Sequence, residues 1–240
     1  MSVYTETKNN ILRFAEGTVF STSDFKVAPT EQNLLYKALS NSCKQGSLIR
    51  LSQSLYYKPE MTNLGPLPPS SNAIVKQLLK THKKNIAYIT GPSIYPRLGL
   101  STQWTPEIFI ATDLSKKAPM RIGALKVSFC PSSFKGKHAD IYLLQWLDAI
   151  KNIKTISGTT PNLSALRLEQ LLAEMRPPQL KKIVTYAASY PASTRALVGL
   201  LLEKTKNFSS AKRMYESLPH TSSYHIPLQP SVFPALSKWT

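Results

Sequence analysis

Acidic residues are scarce in this chain. It has 13 aspartates and glutamates against 30 lysines and arginines, a net charge of +17 over 240 residues. Such an imbalance points to a polyanionic partner or an anionic surface. Cysteine is nearly absent too. Cys43 and Cys130 are the only two, too few for a disulfide framework. Both are expected to be reduced and structural, which makes a cytoplasmic location the default. Long apolar runs are missing. The longest, Ala196–Leu202, falls far short of the roughly 20 residues that a membrane span needs. No N-terminal stretch resembles a signal peptide. No membrane partner is expected.

The motifs of common enzyme chemistry are also missing. The four histidines, His82, His138, His220 and His225, are scattered, so no metal site is expected. There is no glycine-rich phosphate loop, no Gly-x-Ser-x-Gly elbow and no close carboxylate pair. Gly91-Pro92-Ser93 is superficially like the start of a nucleotidyltransferase motif, but the Asp-x-Asp pair of that chemistry does not follow. Asp113 reads as a turn or cap residue. Cys130 and His138 are separated by Pro131 and two serines, which favours a loop over a nucleophile–base pair. The chain reads as a non-enzyme without a cofactor.

What is present is enough for a core: 42% of residues are hydrophobic and 18% charged, the balance of a folded protein. Thr5–Ala15 reads as a first helix closed by Gly17. Thr18–Phe20 is strand-like. Ser21–Asp24 offers N-cap chemistry for a short second helix containing Phe25 and Val27. After Pro29, Thr30 is positioned to cap a third helix that ends before Gly46. Two β-prone runs follow, Leu48–Leu51 and Leu55–Tyr57, joined by Ser52-Gln53-Ser54. Helices followed at once by a tight hairpin predict a winged helix-turn-helix over residues 1–60.

In the third helix, Leu35, Ala38, Leu39 and Ser42 have inward spacing. Asn33, Lys37, Ser40 and Lys44 share another face. That second face is polar, basic and free of acids, as base edges and phosphates require. Arg50 in the hairpin and Lys58 at its end are expected to reach phosphates. Gln53 at the tip is expected to touch backbone or minor groove. Tyr56 and Tyr57 alternate along their strand, so one is expected to pack inward and the other to face out.

Met61–Ser71 is rich in Pro, Gly and Ser and reads as a linker over 61–71. From Asn72, a helix through Lys84 and strands at Ile86–Thr90, Glu107–Thr112 and Met120–Cys130 predict a small α/β layer. Helices follow at His138–Lys151, Asn162–Met175, Pro178–Ser189 and Ala192–Lys206. Phe233, Leu236 and Trp239 in the tail are positioned to dock on the body. The fold class is thus α/β (α+β), with the winged helix followed by a mixed α/β domain, residues 72–240, whose C-terminal part is helical. Charge is uneven along the chain. Residues 1–60 carry seven bases and five acids, residues 61–138 eleven and two, and residues 139–240 twelve and six. A second anion-binding surface is therefore expected beyond the winged helix.

Three stretches together resemble the AbiEi-type antitoxins of bacterial type IV toxin–antitoxin systems. Ala38–Pro59 resembles that family's Ala-Leu…Lys-x-Gly…Ile-x-Arg-Leu…Leu-Tyr pattern. Leu98–Asp113 is similar to its Gly-Leu-Ser-Thr-Gln segment, and Thr194–Lys204 to its Arg-x-x-x-Gly-x-Leu-Leu-Glu helix. The tail Phe233–Thr240 also resembles a family ending. The resemblance implies a transcriptional autorepressor that binds inverted repeats in its own promoter, as a homodimer or cooperatively. It also implies an antitoxin that counteracts a nucleotidyltransferase-type toxin. It carries DNA contact onto Lys37, Lys44, Arg50 and Lys58. The chain departs from the pattern at Asn41 and Ile49, where basic residues are common, and at Gln53-Ser54, where Arg-Gly is common. The rival reading is an interaction or RNA-binding protein that uses the basic C-terminal domain and keeps the winged helix as a structural element.

Overall fold

The computed structural model describes residues 2–80, 86–113, 118–219 and 223–240. The fold is mixed α/β, 49% helix and 14% strand. It divides into two compact units, Met1–Lys83 with Ile122–Leu125, and Lys84–Arg121 with Lys126–Thr240.

The first unit opens with α1, Val3–Arg13, capped by the Ser2 hydroxyl, which accepts from the Tyr4 amide at 3.3 Å. Its other end leaves carbonyls without intrahelical partners. Lys58 fills that need. Its ammonium donates to the carbonyls of Ile11, Leu12 and Phe14 at 3.4, 3.0 and 2.7 Å, where a cation also opposes the negative end of the helix dipole. Strand β1, Val19–Ser21, follows. The short second helix expected after it is only a 3₁₀ turn, Thr22–Asp24. The Asp24 carboxylate bonds back to the Ser21 amide at 2.7 Å, which closes the turn, and Phe25 is already extended. A second 3₁₀ turn, Pro29–Glu31, leads into α2, Gln32–Lys44, and neither Thr30 nor Glu31 caps it with a side chain.

Helix α2 ends in a Schellman motif. Gly46 takes φ +75°, its amide bonds the Cys43 carbonyl at 3.1 Å, and the Ser47 amide bonds the Ser42 carbonyl at 3.1 Å. Only a residue without Cβ adopts this left-handed conformation cheaply. The motif turns the chain directly into β2, Ile49–Arg50, and β3, Leu55–Tyr57. The sheet order is β1-β3-β2, antiparallel throughout. Phe20 and Tyr56 pack with Ile11, Phe25, Leu35, Leu39 and Leu48, which puts the core between the sheet and α1 with α2.

Both tyrosines of β3 are buried, Tyr56 at 3% exposure and Tyr57 at 1%. The expectation that one faces solvent fails because β3 is the central strand and its second face is covered. A short hairpin, β4 at Met61–Thr62 with β5 at Gly65–Pro66, brings the Leu67 carbonyl to the Tyr57 hydroxyl at 2.8 Å. Helix α3, Ser71–Lys80, packs on β1, and Gln77 donates to the Asp24 carboxylate. Ser70, not Asn72, supplies the cap, accepting from the Ala73 amide at 3.2 Å. So 61–80, expected to be a linker and the start of a second domain, completes the first unit. The expected last turn of α3, 81–84, lies outside the described residues, and the following strand begins at Tyr88, two residues later than expected.

The second unit carries β6, Tyr88–Thr90, a short helix α4, Tyr95–Leu98, and β7, Glu107–Thr112. Strands β8, Met120–Ile122, and β9, Leu125–Pro131, are separated by a turn at Gly123. The sheet order is β6-β7-β9-β8, with β6 antiparallel and β9 parallel to β7. The helices are α5, Ile141–Lys151, α6, Pro161–Ala173, α7, Pro177–Ala187, α8, Ala192–Lys204, and α9, Phe208–Glu216. Helix α9 is not among the helices expected from sequence; it has few apolar residues and buries only Ala211 and Met214. Its last turn is held by Arg195 of α8, which donates to the Ser217 carbonyl at 2.6 Å.

Helix α8 is buried on every side from Ala196 to Leu202. The C-terminal tail docks against it as expected, with Phe233, Leu236 and Trp239 all buried. The Trp239 indole lies so close to Gly199 that a Cβ there would sit 2.0 Å from the ring. Its N–H donates to Glu203 at 2.8 Å, and Lys238 reaches the same carboxylate at 2.9 Å. Two of the stretches that carry the resemblance, Thr194–Lys204 and Phe233–Thr240, are therefore packing partners.

Inside this unit, Asp148 of α5 is buried at 6% exposure. Tyr88, Thr90 and Tyr190 donate to its carboxylate at 2.9, 2.7 and 2.8 Å. Burial raises its pKa, against the opposing pull of those hydroxyls. The arrangement joins β6, α5 and the segment before α8 through satisfied polar groups, as a buried carboxyl requires.

Candidate nucleic-acid interface

The outer face of α2 is open. Asn33, Lys37, Ser40 and Lys44 are all exposed, and no acid lies between Gln32 and Lys44. The eleven helical steps from Asn33 to Lys44 carry this face about 16 Å along the axis, enough to follow a stretch of major groove. The β2–β3 register then brings the hairpin to it. Arg50 pairs with Tyr56, and Tyr56 with Phe20, so all three share the sheet face that meets α2. A groove of about 490 Å³ results, lined by Tyr36, Ser40, Cys43 and Lys44 of α2 and by Arg50 and Tyr56 of the hairpin.

Arg50 has two tasks there. Its Nε and Nη2 donate to the Ser52 and Gln53 carbonyls at 3.1 and 3.2 Å, which shapes the hairpin tip and fixes Gln53, exposed, at its end. Its guanidinium also lies 6.0 Å from the Tyr56 ring centre. The Tyr56 phenol is pushed up by burial, with the Arg50 charge working against that. Burial likewise raises the Cys43 thiol, so Cys43 enters the groove as a neutral group.

The sequence pattern of a family of unknown function, DUF6088, matches residues 6–178. The chain belongs to that family. No curated protein matches it. A solved structure, that of the RV2827C protein from Mycobacterium tuberculosis, is similar at 13% identity, covering 91% of this chain and 81% of that one with a TM-score of 0.39.

Of the seven residues expected to contact DNA in this DUF6088 chain, Ser40, Lys44 and Arg50 line the groove. Asn33 and Lys37 continue the α2 face, and Gln53 stands at the hairpin tip. Lys58 departs from the set. Three carbonyls of the α1 end surround its ammonium, so it serves as a helix cap. Two residues that sequence reading missed adjoin the α2 face instead. Asn41 donates to the Tyr4 hydroxyl at 3.1 Å, and Lys8 sits 5.3 Å from the Tyr4 ring centre. The Tyr4 phenol is lowered, first by the Asn41 hydrogen bond, and also by the charges of Lys8 and Lys37. Tyr4 and Lys8 sit four apart on α1, a spacing with no distinctive signal of its own.

Cys130 and Glu107 each have a partner in the second unit. The Cys130 thiol is pushed up to about 11, first by burial and then by Asp148, and it donates to the Ile110 carbonyl at 3.6 Å. Glu107 pairs with Lys126 at 3.0 Å. Its carboxyl is lowered by the Ser128 hydroxyl first and by Lys126 next. Among the described residues no group of three His, Cys, Asp or Glu side chains is arranged to hold a metal. No helix among them is long and apolar enough to cross a membrane.

Proposed function

We propose that this DUF6088 protein is a DNA-binding transcriptional autorepressor and antitoxin acting in the cytoplasm. Its first unit is a winged helix-turn-helix in which α2 enters the major groove and the β2–β3 hairpin forms the wing. The observation that carries the reading is the groove where Ser40 and Lys44 of an acid-free helix face meet Arg50 of the hairpin. Winged helices use these two elements to contact bases and phosphates. Inverted repeats are read in pairs, so a homodimer or cooperative binding completes the repressor.

The antitoxin half rests on the resemblance to AbiEi-type antitoxins. In that reading the second unit counteracts a nucleotidyltransferase-type toxin, which itself carries the catalysis. The test is a gel-shift series on the protein's own upstream DNA at several salt concentrations. Lys37→Ala combined with Arg50→Ala is expected to weaken binding and to lower the salt slope by about 2. Wild-type binding without sequence preference, unchanged in the double variant, would remove the reading head. It would leave the rival, a chain that binds RNA or an acidic partner through its basic region 61–138.

A further inference from the structure

A second site lies in the other unit, at the N-terminal end of α8. We infer that it binds a phosphate group, and this does not depend on the DNA reading. A cavity of about 220 Å³ opens there, with Lys151, Lys154, Ser193, Thr194 and His225 on its polar side. Ile153, Leu197 and Ile226 form its apolar wall, and no acidic side chain lines it.

Three observations meet at this point. The first turn of α8 has no side-chain cap. Its first internal bond begins at Arg195, whose amide bonds the Pro191 carbonyl at 3.1 Å. The amides of Ala192, Ser193 and Thr194 thus lack protein acceptors among the described residues and sit at the positive end of a thirteen-residue helix. Second, Thr194 is buried at 4% exposure. Its side chain lines the cavity, and its hydroxyl has no hydrogen-bond partner among the described residues. Facing the cavity, that hydroxyl is placed to donate to an oxyanion bound there. Third, basic side chains converge from separate segments. Lys151 ends α5, where it also bonds the Ser133 hydroxyl at 3.0 Å. Lys154 lies in the 3₁₀ turn Ile153–Thr155, and His225 lies in the tail. Backbone amides, a hydroxyl and two lysines form the donor set that phosphate oxygens take.

The test uses the full chain and inorganic phosphate. Thermal unfolding is followed while phosphate replaces chloride at constant ionic strength. A ligand that binds only the folded state raises the midpoint saturably. The wild type should show that rise. Lys154→Ala should weaken the apparent affinity at least tenfold, and Thr194→Val should weaken it too. Lys212→Ala removes the same charge from an exposed position on α9 and should behave as the wild type. A rise without saturation, or equal losses in Lys154→Ala and Lys212→Ala, would overturn the site and leave only diffuse charge. If Thr194→Val fails to fold, the two lysine variants still decide. Competition with a short single strand, with and without a 5′-phosphate, then identifies the source. Displacement by the phosphorylated strand alone supports a terminal monoester. Displacement by both supports backbone phosphates, and displacement by neither supports a free small phosphate.

Discussion

Helices α2 and α8 are both thirteen residues long and offer opposite surfaces. Helix α2 buries one stripe, Leu35, Ala38, Leu39 and Ser42, and leaves the rest of its circumference to solvent. Helix α8 buries seven consecutive residues, Ala196–Leu202, and only its ends reach the surface. A helix with one buried stripe presents a whole face to a partner, so it suits a long, regular target such as a DNA groove. A helix buried all round presents its first-turn amides, so it suits a compact anion. The two basic sites follow from how much of each helix the core consumes.

The sharpest way to break this comparison is to empty the core around α8. Trp239→Ala removes a fully buried indole and should cost about 3–5 kcal/mol, read as a lower midpoint in urea denaturation. Gly199→Ala attacks the same contact from the other side, because its methyl would occupy the position of the ring. The two changes remove one interaction, so the double variant should lose less than the sum of the single losses. Strict additivity would mean that the tail is not anchored on α8.

Next in size is the cap on α1. Lys58→Met keeps the aliphatic stem and removes three charged hydrogen bonds to carbonyls. It should destabilise the protein by about 1–2 kcal/mol. The salt slope of DNA binding should stay unchanged. A stable variant with a reduced slope would return Lys58 to the DNA-contacting set and break the division drawn between cap and contact.

This residue shows where sequence reading works and where it stops. The order of elements in the first unit, the end of α2 at Gly46 and the docking of the tail were all legible, because periodicity and turn chemistry are local signals. The open face of α2 was legible for the same reason. Whether a lysine meets a phosphate or a carbonyl depends on what folds beside it, and the end of α1 is 44 residues away from Lys58 in sequence. The second helix was overestimated because Asp24, a good cap residue, instead closes a turn on Ser21 and accepts from Gln77. The burial of Tyr57 was hidden by reading 61–71 as a linker. Proline and glycine there mark a hairpin that packs on the sheet. The Asp148 cluster left no trace, since its four side chains come from three distant segments.

Asp148 gives the second unit a pH-dependent contribution to stability. Its carboxyl is raised in the folded state, so folding favours the protonated form. That contribution is fully present below the unfolded value of about 3.9. It is lost as pH rises through the folded pKa. Asp148→Asn removes this titration. The stability difference, wild type minus variant, should therefore fall as pH rises from about 4, the unfolded value. The measurement is a series of urea denaturations across pH, with DNA binding monitored in parallel. A difference that rises with pH would mean that the three hydroxyl donors outweigh burial and hold the carboxylate charged.

The smallest stability effect belongs to the α2 face, and its smallness is the point. Lys37→Ala with Lys44→Ala removes two exposed charges that neither fill the core nor cap a helix. Unfolding free energy should move by no more than about 0.5 kcal/mol, while the salt slope of DNA binding drops by about 2. For a helix buried on one stripe, stability and binding are separable because they use different sides of the same cylinder. A large loss of stability in this double variant would show that the exposed face of α2 supports the fold, and the contrast with α8 would fail at its simpler end.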